Sequence, residues 1–436
     1  MLLRFGVSNH LSMRDYQEFS CIASAGYDDL PHTFSVEGLK QKEKEVLPVI
    51  AVYGANAAGK SNILDAVSFF SFAIDRSYFW QDKGRFPHAF FSLDSVSQDI
   101  ESLYDADIII DNIRYQYGFS LTKTGIKKEW LYYYPKGVKS TLYQRDFTAD
   151  SEIEVYIGSS LKKITPPWRV IAQNTQALML SAAGRKEHFH DQLTPIFNYF
   201  YKNFNTVRIS NGGGEEQLAE NIPSEEIRSK LVEILRMADF GIVGIEIESV
   251  PYPEEALSIT TELVELLKRK FDKFQSLDEM PQEVKVQKKI NFRHAGCDGG
   301  TYLVKYDNES SGTKYLAKLL VPVISALENG SILVVDEITT NLHTKISEGI
   351  VALFTSPTTN KNRAQFIFST HDTNLLSREL LRRDEIWFAE KDSEGLTSIY
   401  PLSDFKTRKS DNIEKGYLQG RFGAIPFMGD VSKFLG

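Results

Sequence analysis

Residues 49–64 read Val-Ile-Ala-Val-Tyr-Gly-Ala-Asn-Ala-Ala-Gly-Lys-Ser-Asn-Ile-Leu, an apolar run that opens into Gly-x-x-x-x-Gly-Lys-Ser and then into an amphipathic stretch. Such a segment is suited to holding phosphate. Gly54 and Gly59 let the backbone curl, so that successive N–H groups over Asn56, Ala57, Ala58 and Gly59, and those of Ser61 and Asn62 at the helix start, converge on an anion. Lys60 would reach the terminal phosphate oxygens of a nucleotide, ATP in the simplest case, and the Ser61 hydroxyl would ligate Mg²⁺.

A phosphate cradle of this kind needs a carboxylate for its metal at the end of another buried strand, and Ser331-Ile332-Leu333-Val334-Val335-Asp336-Glu337 supplies one. Asp336 would hold Mg²⁺ through water, and Glu337 would polarise the attacking water. Taken alone, a strand ending in Asp-Glu fits an N-cap for the next helix equally well. Between the two segments lies Asn308-Glu309-Ser310-Ser311-Gly312-Thr313-Lys314, small hydroxyl and glycine residues at a helix start, which by themselves read as an N-cap. In this company they resemble the signature motif of ABC-type ATPases, and the resemblance implies that Ser311, Gly312 and Lys314 contact the γ-phosphate held by a facing subunit. Thr313 and Lys314 replace the more usual Gly and Gln of that motif. Asn341-Leu342-His343 resembles the D-loop that crosses the dimer interface, and His371, after Gln365-Phe366-Ile367-Phe368-Ser369, resembles the switch histidine near the γ-phosphate. Gln98 stands at the distance of a Q-loop metal contact, with a surface glutamine as the alternative.

Three other clusters read as structural. His188-x-His190 beside Asp191 places its imidazoles in different directions on a helix, which favours a solvated face over a metal site. Cys297 with His294 and Asp298 lacks a second pair of zinc ligands, and Lys268, Arg269 and Lys270 read as a solvated helix face.

The elements that must position these residues follow from periodicity. Strands are expected over Leu3 to Val7, Gln17 to Ala23 and Val46 to Tyr53, and a helix from Lys60 to about Ala73. A hairpin after Ala106 turns at Asp111 and Asn112, and Trp130 to Tyr134 makes a third antiparallel strand, giving a parallel sheet with an antiparallel layer. Helical periodicity then covers Ala177 to Lys202, Glu225 to Met237 and Glu254 to Phe274, with a strand over Val243 to Glu248 and a surface loop at Gly212, Gly213 and Gly214. The stripe Leu263, Leu266, Leu267, Phe271 and Phe274 reads as core or a dimer face. From Gln287 onward strands and helices alternate through Tyr302 to Tyr306, Lys314 to Leu327, Ile332 to Val335, Lys345 to Phe354, Gln365 to Phe368 and Glu385 to Phe388, as in a parallel sheet. The expected divisions are 1–165, 166–285 as a mostly helical insertion serving a dimer or partner interface, and 286–436.

A chain of 436 residues, 42% hydrophobic and 25% charged, has material for a buried core and two or three packed units. Its net charge of −8 gives no general attraction to nucleic acid, so any such contact is local. Two cysteines, Cys21 and Cys297, build no disulfide framework, and the first residues carry no signal-peptide core, which makes the cytoplasm the expected compartment. The longest apolar stretch, Leu319 to Leu327, is broken by Pro322 and too short to cross a bilayer, so no membrane association is expected.

The order of strand pair, P-loop, insertion, signature-like turn, Asp-Glu and Ser-Thr-His-Asp resembles ABC-type ATPases related to chromosome-maintenance and break-repair heads. More narrowly it is similar to the prokaryotic AAA-family ATP-binding proteins that include RloA, AriA and the OLD ATPase domains. The N-terminal LLRFGVSNHLSMRD, Glu129-Trp130-Leu131-Tyr132 with Pro135-Lys136-Gly137, and Tyr417 to Pro426 look nearest the RloA-like branch. Leu11 stands where many relatives have Arg, and no nucleotide contact is carried over there. The resemblance implies an α/β fold, an ABC-type P-loop ATPase head of mixed sheet and antiparallel β lobe with an inserted helical region. It implies ATP and Mg²⁺ as ligands, hydrolysis in a homodimer or higher oligomer, and a sensor or scaffold in anti-phage defence. The trigger would be a phage protein or nucleic acid, and the effector a separately encoded nuclease of RloB-like, Toprim type. The alternatives are a DNA-repair or chromosome-maintenance ATPase head, and a nucleotide-gated scaffold with negligible turnover.

Overall fold

The computed structural model describes the chain except residues 27–29, 38, 40–43, 84–85, 149–153, 208–213, 223, 239–240, 254, 256–257, 260–261, 263–264, 267–285, 378, 409–410 and 427–436. In chain order the strands are β1 (Leu2–Ser8), β2 (Gln17–Ser20), β3 (Phe34–Ser35), β4 (Glu45–Val46), β5 (Val49–Tyr53), β6 (Ser102–Ile110), β7 (Ile113–Thr122), β8 (Gly125–Tyr134), β9 (Ser140–Asp146), β10 (Glu154–Ile157), β11 (Phe204–Val207), β12 (Ile242–Pro251), β13 (Val286–Ala295), β14 (Thr301–Lys305), β15 (Ile332–Val335), β16 (Gln365–Thr370), β17 (Ile386–Lys391) and β18 (Thr397–Pro401). The helices are α1 (Lys60–Arg76), α2 (Pro166–Ala172), α3 (Met179–Ala182), α4 (Leu193–Asn203), α5 (Glu215–Asn221), α6 (Glu225–Met237), α7 (Ser311–Asn329), α8 (Thr344–Thr355) and α9 (Ile413–Leu418).

The chain forms two compact units, Met1–Arg208 with Ser325–Gly436, and Ile209–Ile324. The first contains two sheets. One has seven antiparallel strands in the order β10-β9-β8-β7-β6-β1-β2, and the other has six in the order β11-β15-β16-β5-β17-β18. Within the second sheet β11, β15, β16, β5 and β17 run parallel, and β18 closes it antiparallel to β17. All five residues of β5 and all four of β15 are buried, the continuous apolar pattern of a parallel strand covered on both faces. The strand before the Gly-rich loop and the Asp-Glu strand are thus separated by one strand, β16, in a largely parallel sheet accompanied by an antiparallel one. The expected α/β class holds.

Helix α1 joins the two sheets. Its buried residues Ile63, Leu64, Val67, Phe70 and Ile74 recur at helical spacing. Phe70 stacks on Phe119 of β7, with ring centroids 5.6 Å apart, and meets Phe5 of β1 and Phe200 of α4 edge-on at 5.6 and 5.5 Å. Aromatic contact on three sides fixes the axis of α1, and so the place of Lys60 at its first residue.

The division of the chain differs from the expected 166–285. Helices α2 to α4 belong to the first unit, because Leu193, Ile196, Phe197 and Phe200 bury one face of α4 in the same core as α1. The second unit instead begins at Ile209 and carries an antiparallel sheet in the order β12-β13-β14 beside α5 and α6. Glu215 of α5 accepts from the Ile290 amide at 2.6 Å and pairs with Lys289 at 2.9 Å, both on β13. The stretch expected as one helical segment over Ala177 to Lys202 is broken between α3 and α4. Most of the expected Glu254 to Phe274 helix, Lys268 to Lys270, Gly212 and Gly213 lie outside the described residues; of the apolar stripe only Leu266 is described, and it is exposed. Among the described residues no helix is long and apolar enough to cross a membrane.

Candidate functional site

Strands β5, β15 and β16 bring their carboxyl ends to one edge of the parallel sheet, with Tyr53 beside Thr370 and Val335 beside Phe368 in register. Ligands of open α/β sheets bind at such an edge. Past Tyr53 the chain turns through Ala57 at φ 64° and Gly59 at φ 102°, then enters α1. A left-handed Gly59 places consecutive amides on the inside of the loop, which makes an anion nest. The Lys60 side chain is buried, and its Nζ donates to the carbonyls of Gly54 and Ala55 at 2.9 and 3.1 Å. Ser61 is exposed and Asn62 half-buried at the first turn of α1.

Glu337 follows β15 with φ 53°, and its carboxylate lies between two partners. Oε1 is 3.6 Å from Lys60 Nζ, and Oε2 is 2.9 Å from His371 Nδ1. The Ser369 hydroxyl at the end of β16 donates to Asp336 Oδ1 at 2.5 Å and accepts from the Glu337 amide at 2.8 Å. Four residues expected from the sequence, Lys60, Asp336, Glu337 and His371, therefore meet in one cluster, joined by Ser369, to which the sequence assigns no role of its own. The residues fit a nucleotide with its metal: a curled amide loop, one buried ammonium, and two adjacent carboxylates at a strand end.

Asn341 is exposed at φ 59°, and His343 caps α8, its Nδ1 accepting from the Lys345 amide at 3.2 Å. Next to it the Thr344 hydroxyl donates to Asp372 Oδ2 at 2.5 Å. Burial pushes the Asp372 carboxyl up, but hydrogen bonds from Thr344 and Asn374 and the neighbouring His371 bring it below its ordinary value. Burial also drives the Tyr53 hydroxyl well above its usual range, helped by the charge of Asp372.

In the second unit, Ser310 caps the signature-like helix α7, its Oγ accepting from the Thr313 amide at 3.0 Å. Lys314 Nζ donates to the Asp307 carbonyl at 2.8 Å and lies 5.3 Å from the Tyr306 ring centroid, so the ammonium is engaged within its own turn. Gln98 sits exposed on the short turn Ser97–Asp99. The His188-x-His190 pair is not a solvated helical face: His190 is buried, its Nδ1 accepting from the Gln192 amide at 3.2 Å and its Nε2 facing the Lys162 carbonyl at 2.9 Å. His294 pairs with Glu309 at 2.5 Å, and Cys297 is exposed.

Residues 49–157 and 247–377, more than half of the chain, match the family described as "AAA domain, putative AbiEii toxin, Type IV TA system". The chain belongs to this family. The matched segments contain Lys60, Ser311, Asp336, Glu337 and His371. Two solved structures are similar over most of their length. One is the SmcHead bound to the C-winged helix domain of ScpA, at 11% identity and a TM-score of 0.43, covering 92% of this chain and 97% of that one. The other is the Smc head domain with an extended coiled coil bound to the C-terminal domain of ScpA from Pyrococcus furiosus, at 12% identity and a TM-score of 0.39, covering 96% and 98%. No curated protein matches the chain.

Proposed function

We propose that this chain binds ATP with Mg²⁺ on the 54–62 loop and hydrolyses it. The observation that carries the reading is the buried Lys60 ammonium 3.6 Å from Glu337, with Asp336 locked beside it by Ser369. Lys60 would hold the β- and γ-phosphates, Ser61 and Asp336 would hold the metal with Gln98 as a further ligand, and Glu337 would take a proton from water. His371, hydrogen-bonded to Glu337, would orient it against the γ-phosphate. Mg²⁺, when bound, supplies positive charge against the triphosphate oxygens.

Two copies would close on two nucleotides, with Ser311, Gly312, Lys314 and Asn341 of one copy facing the loop of the other. The test separates the roles. Ser311→Arg should leave nucleotide binding nearly normal and block hydrolysis, because bulk at a helix start collides with a phosphate held across the interface. A mixture of Lys60→Ala and Ser311→Arg chains places both lesions in one site of the mixed dimer and neither in the other, so each mixed dimer should recover up to about half the wild-type rate if the sites are independent. Normal turnover in Ser311→Arg alone rejects the assignment in trans.

At the level of the cell, the chain is read as the cytoplasmic ATP-driven sensor or scaffold of an anti-phage system of the RloA-like branch, controlling a separate effector nuclease. The net charge of −8 supports placing nucleic-acid cleavage on another polypeptide. Purification with the neighbouring gene product and a mass measurement with and without ATP tests this: an ATP-dependent complex supports it, and nucleic-acid cleavage by the chain alone, lost in a Glu337→Gln variant, overturns it. The family description favours a second reading, a toxin of a type IV toxin–antitoxin pair, in which expression of the chain by itself would arrest growth.

A further inference from the structure

Helix α1 is preceded by Gly59, which has no side chain to cap it, so no local side chain holds the Ala58–Gly59 peptide of the loop. Two hydroxyls from distant parts of the chain do so instead. Thr397, the first residue of β18, has its Oγ1 2.8 Å from the Ala58 carbonyl. Ser12, in the turn between β1 and β2, has its Oγ 2.7 Å from Thr397 Oγ1 and 2.5 Å from Asn62 Nδ2. The Thr397 amide donates to the Ser12 carbonyl at 2.8 Å, which clips the two segments together. Both side chains are buried.

The direction of every proton in this chain is determined. A carbonyl oxygen only accepts, so the Thr397 hydroxyl spends its single proton on Ala58. Thr397 Oγ1 must then accept from Ser12, and Ser12 Oγ accepts from the Asn62 amide. A one-way relay runs from the first turn of α1, through Ser12 and Thr397, back to the loop residue just before Gly59. A trans peptide points its carbonyl and its following N–H in opposite directions. Holding the Ala58 carbonyl on Thr397 therefore aims the Gly59 N–H away from β18. A Cβ at Gly59 would run into the Thr397 hydroxyl, lie 2.7 Å from its methyl and 2.9 Å from Ser12 Oγ, so Thr397 fills the space that glycine leaves.

We infer that Thr397 and Ser12 are positioning residues that set the aim of the phosphate-binding amides and thereby nucleotide affinity. Neither lies in the segments matched by the family. The inference rests on the nucleotide-binding reading above, and the experiment keeps the two apart. ATP Kd is measured by calorimetry on the full chain alongside the unfolding temperature without nucleotide. Thr397→Val keeps the shape and removes the hydroxyl; its Kd should rise about tenfold, the size of one buried hydrogen bond lost from a carbonyl. Thr397→Ser should restore the Kd to within about twofold, since the proton donor returns. Ser12→Ala should raise the Kd less, and the double variant should be no weaker than Thr397→Val alone, because a severed relay cannot be severed again. An unfolding temperature that drops while Kd stays at the wild-type value overturns the inference, as does a Thr397→Ser protein as weak as Thr397→Val. Should Thr397→Val not fold, a wild-type Kd in Ser12→Ala overturns it on its own. Wild-type protein that binds no ATP rejects the nucleotide reading, and the inference with it.

Discussion

Glu337→Gln should tighten nucleotide binding while nearly stopping turnover. In the structure the Lys60 ammonium is shared between two backbone carbonyls and, at 3.6 Å, the Glu337 carboxylate. An arriving triphosphate must draw that ammonium away, against an attraction of about 1 kcal/mol at the dielectric of water and about 5 kcal/mol at an effective constant of 20. The Glu337 side chain is 29% exposed, so the screened end of that range governs. Replacing the carboxylate by an amide of the same size removes the attraction, and also the repulsion between the carboxylate and the incoming phosphates. The ATP Kd should therefore fall about fivefold, which is about 1 kcal/mol. The proposed base is lost at the same time, which costs about 10²–10⁴-fold in kcat. Calorimetric binding and phosphate release measured on the same preparation give both numbers. Weaker ATP binding in Glu337→Gln, or a kcat close to wild type, refutes the assignment of this carboxylate.

Lys60→Ala should move the other way, losing the rise in unfolding temperature that ATP gives the wild type, because its ammonium is the cluster's buried cation. Arg145→Ala should lower stability by about 3–5 kcal/mol in urea titrations, since Arg145 and Glu129 are a fully buried pair and the orphaned Glu129 would keep only its tyrosine and amide donors; Arg145→Met with Glu129→Leu should recover part of the loss. Glu385 is buried on Arg382 and His32, and burial holds its carboxyl above the usual range. The folded state then keeps a proton that the unfolded chain releases, so stability falls as pH rises above the ordinary glutamate value; Glu385→Gln should flatten that part of a pH series of unfolding midpoints.

What the sequence made legible is what local chemistry dictates. Gly54, Gly59, Lys60 and Ser61 define their own loop, and the family match includes the segment that holds them. The expected turn at Asp111 and Asn112 is a two-residue hairpin loop with both residues at positive φ, 49° and 61°, the conformation that Asp and Asn tolerate best. The boundary at 166 was not legible, because an amphipathic face such as Leu193, Ile196 and Phe200 states that it is buried but not against which element. Strand β11 was missed for a related reason: four residues paired in parallel with β15 carry no alternation to mark them. Ser12, Ser369 and Thr397 were invisible as site residues, since a lone hydroxyl acquires a role only from partners far away in the chain.

Glu337 shows the limit in one residue. Its type and its place after a buried strand make it the expected residue to polarise water, yet where it points depends on a backbone angle that glutamate does not choose by itself. A φ of 53° in a non-glycine residue costs on the order of 1 kcal/mol or more and persists only where neighbours impose it. Here β16 imposes it: the Ser369 hydroxyl takes the Glu337 amide at 2.8 Å, and the Ser369 carbonyl takes the next amide, Ile338, at 3.1 Å. The same hydroxyl spends its proton on Asp336, so one side chain sets both carboxylates. Two residues further, just past the end of β16, stands His371, at 2.9 Å from the Glu337 carboxylate it faces. Strand β16 thus leads directly into the histidine and also bends the chain that presents its glutamate partner, and the parallel register of β15 on β16 is what brings the two together.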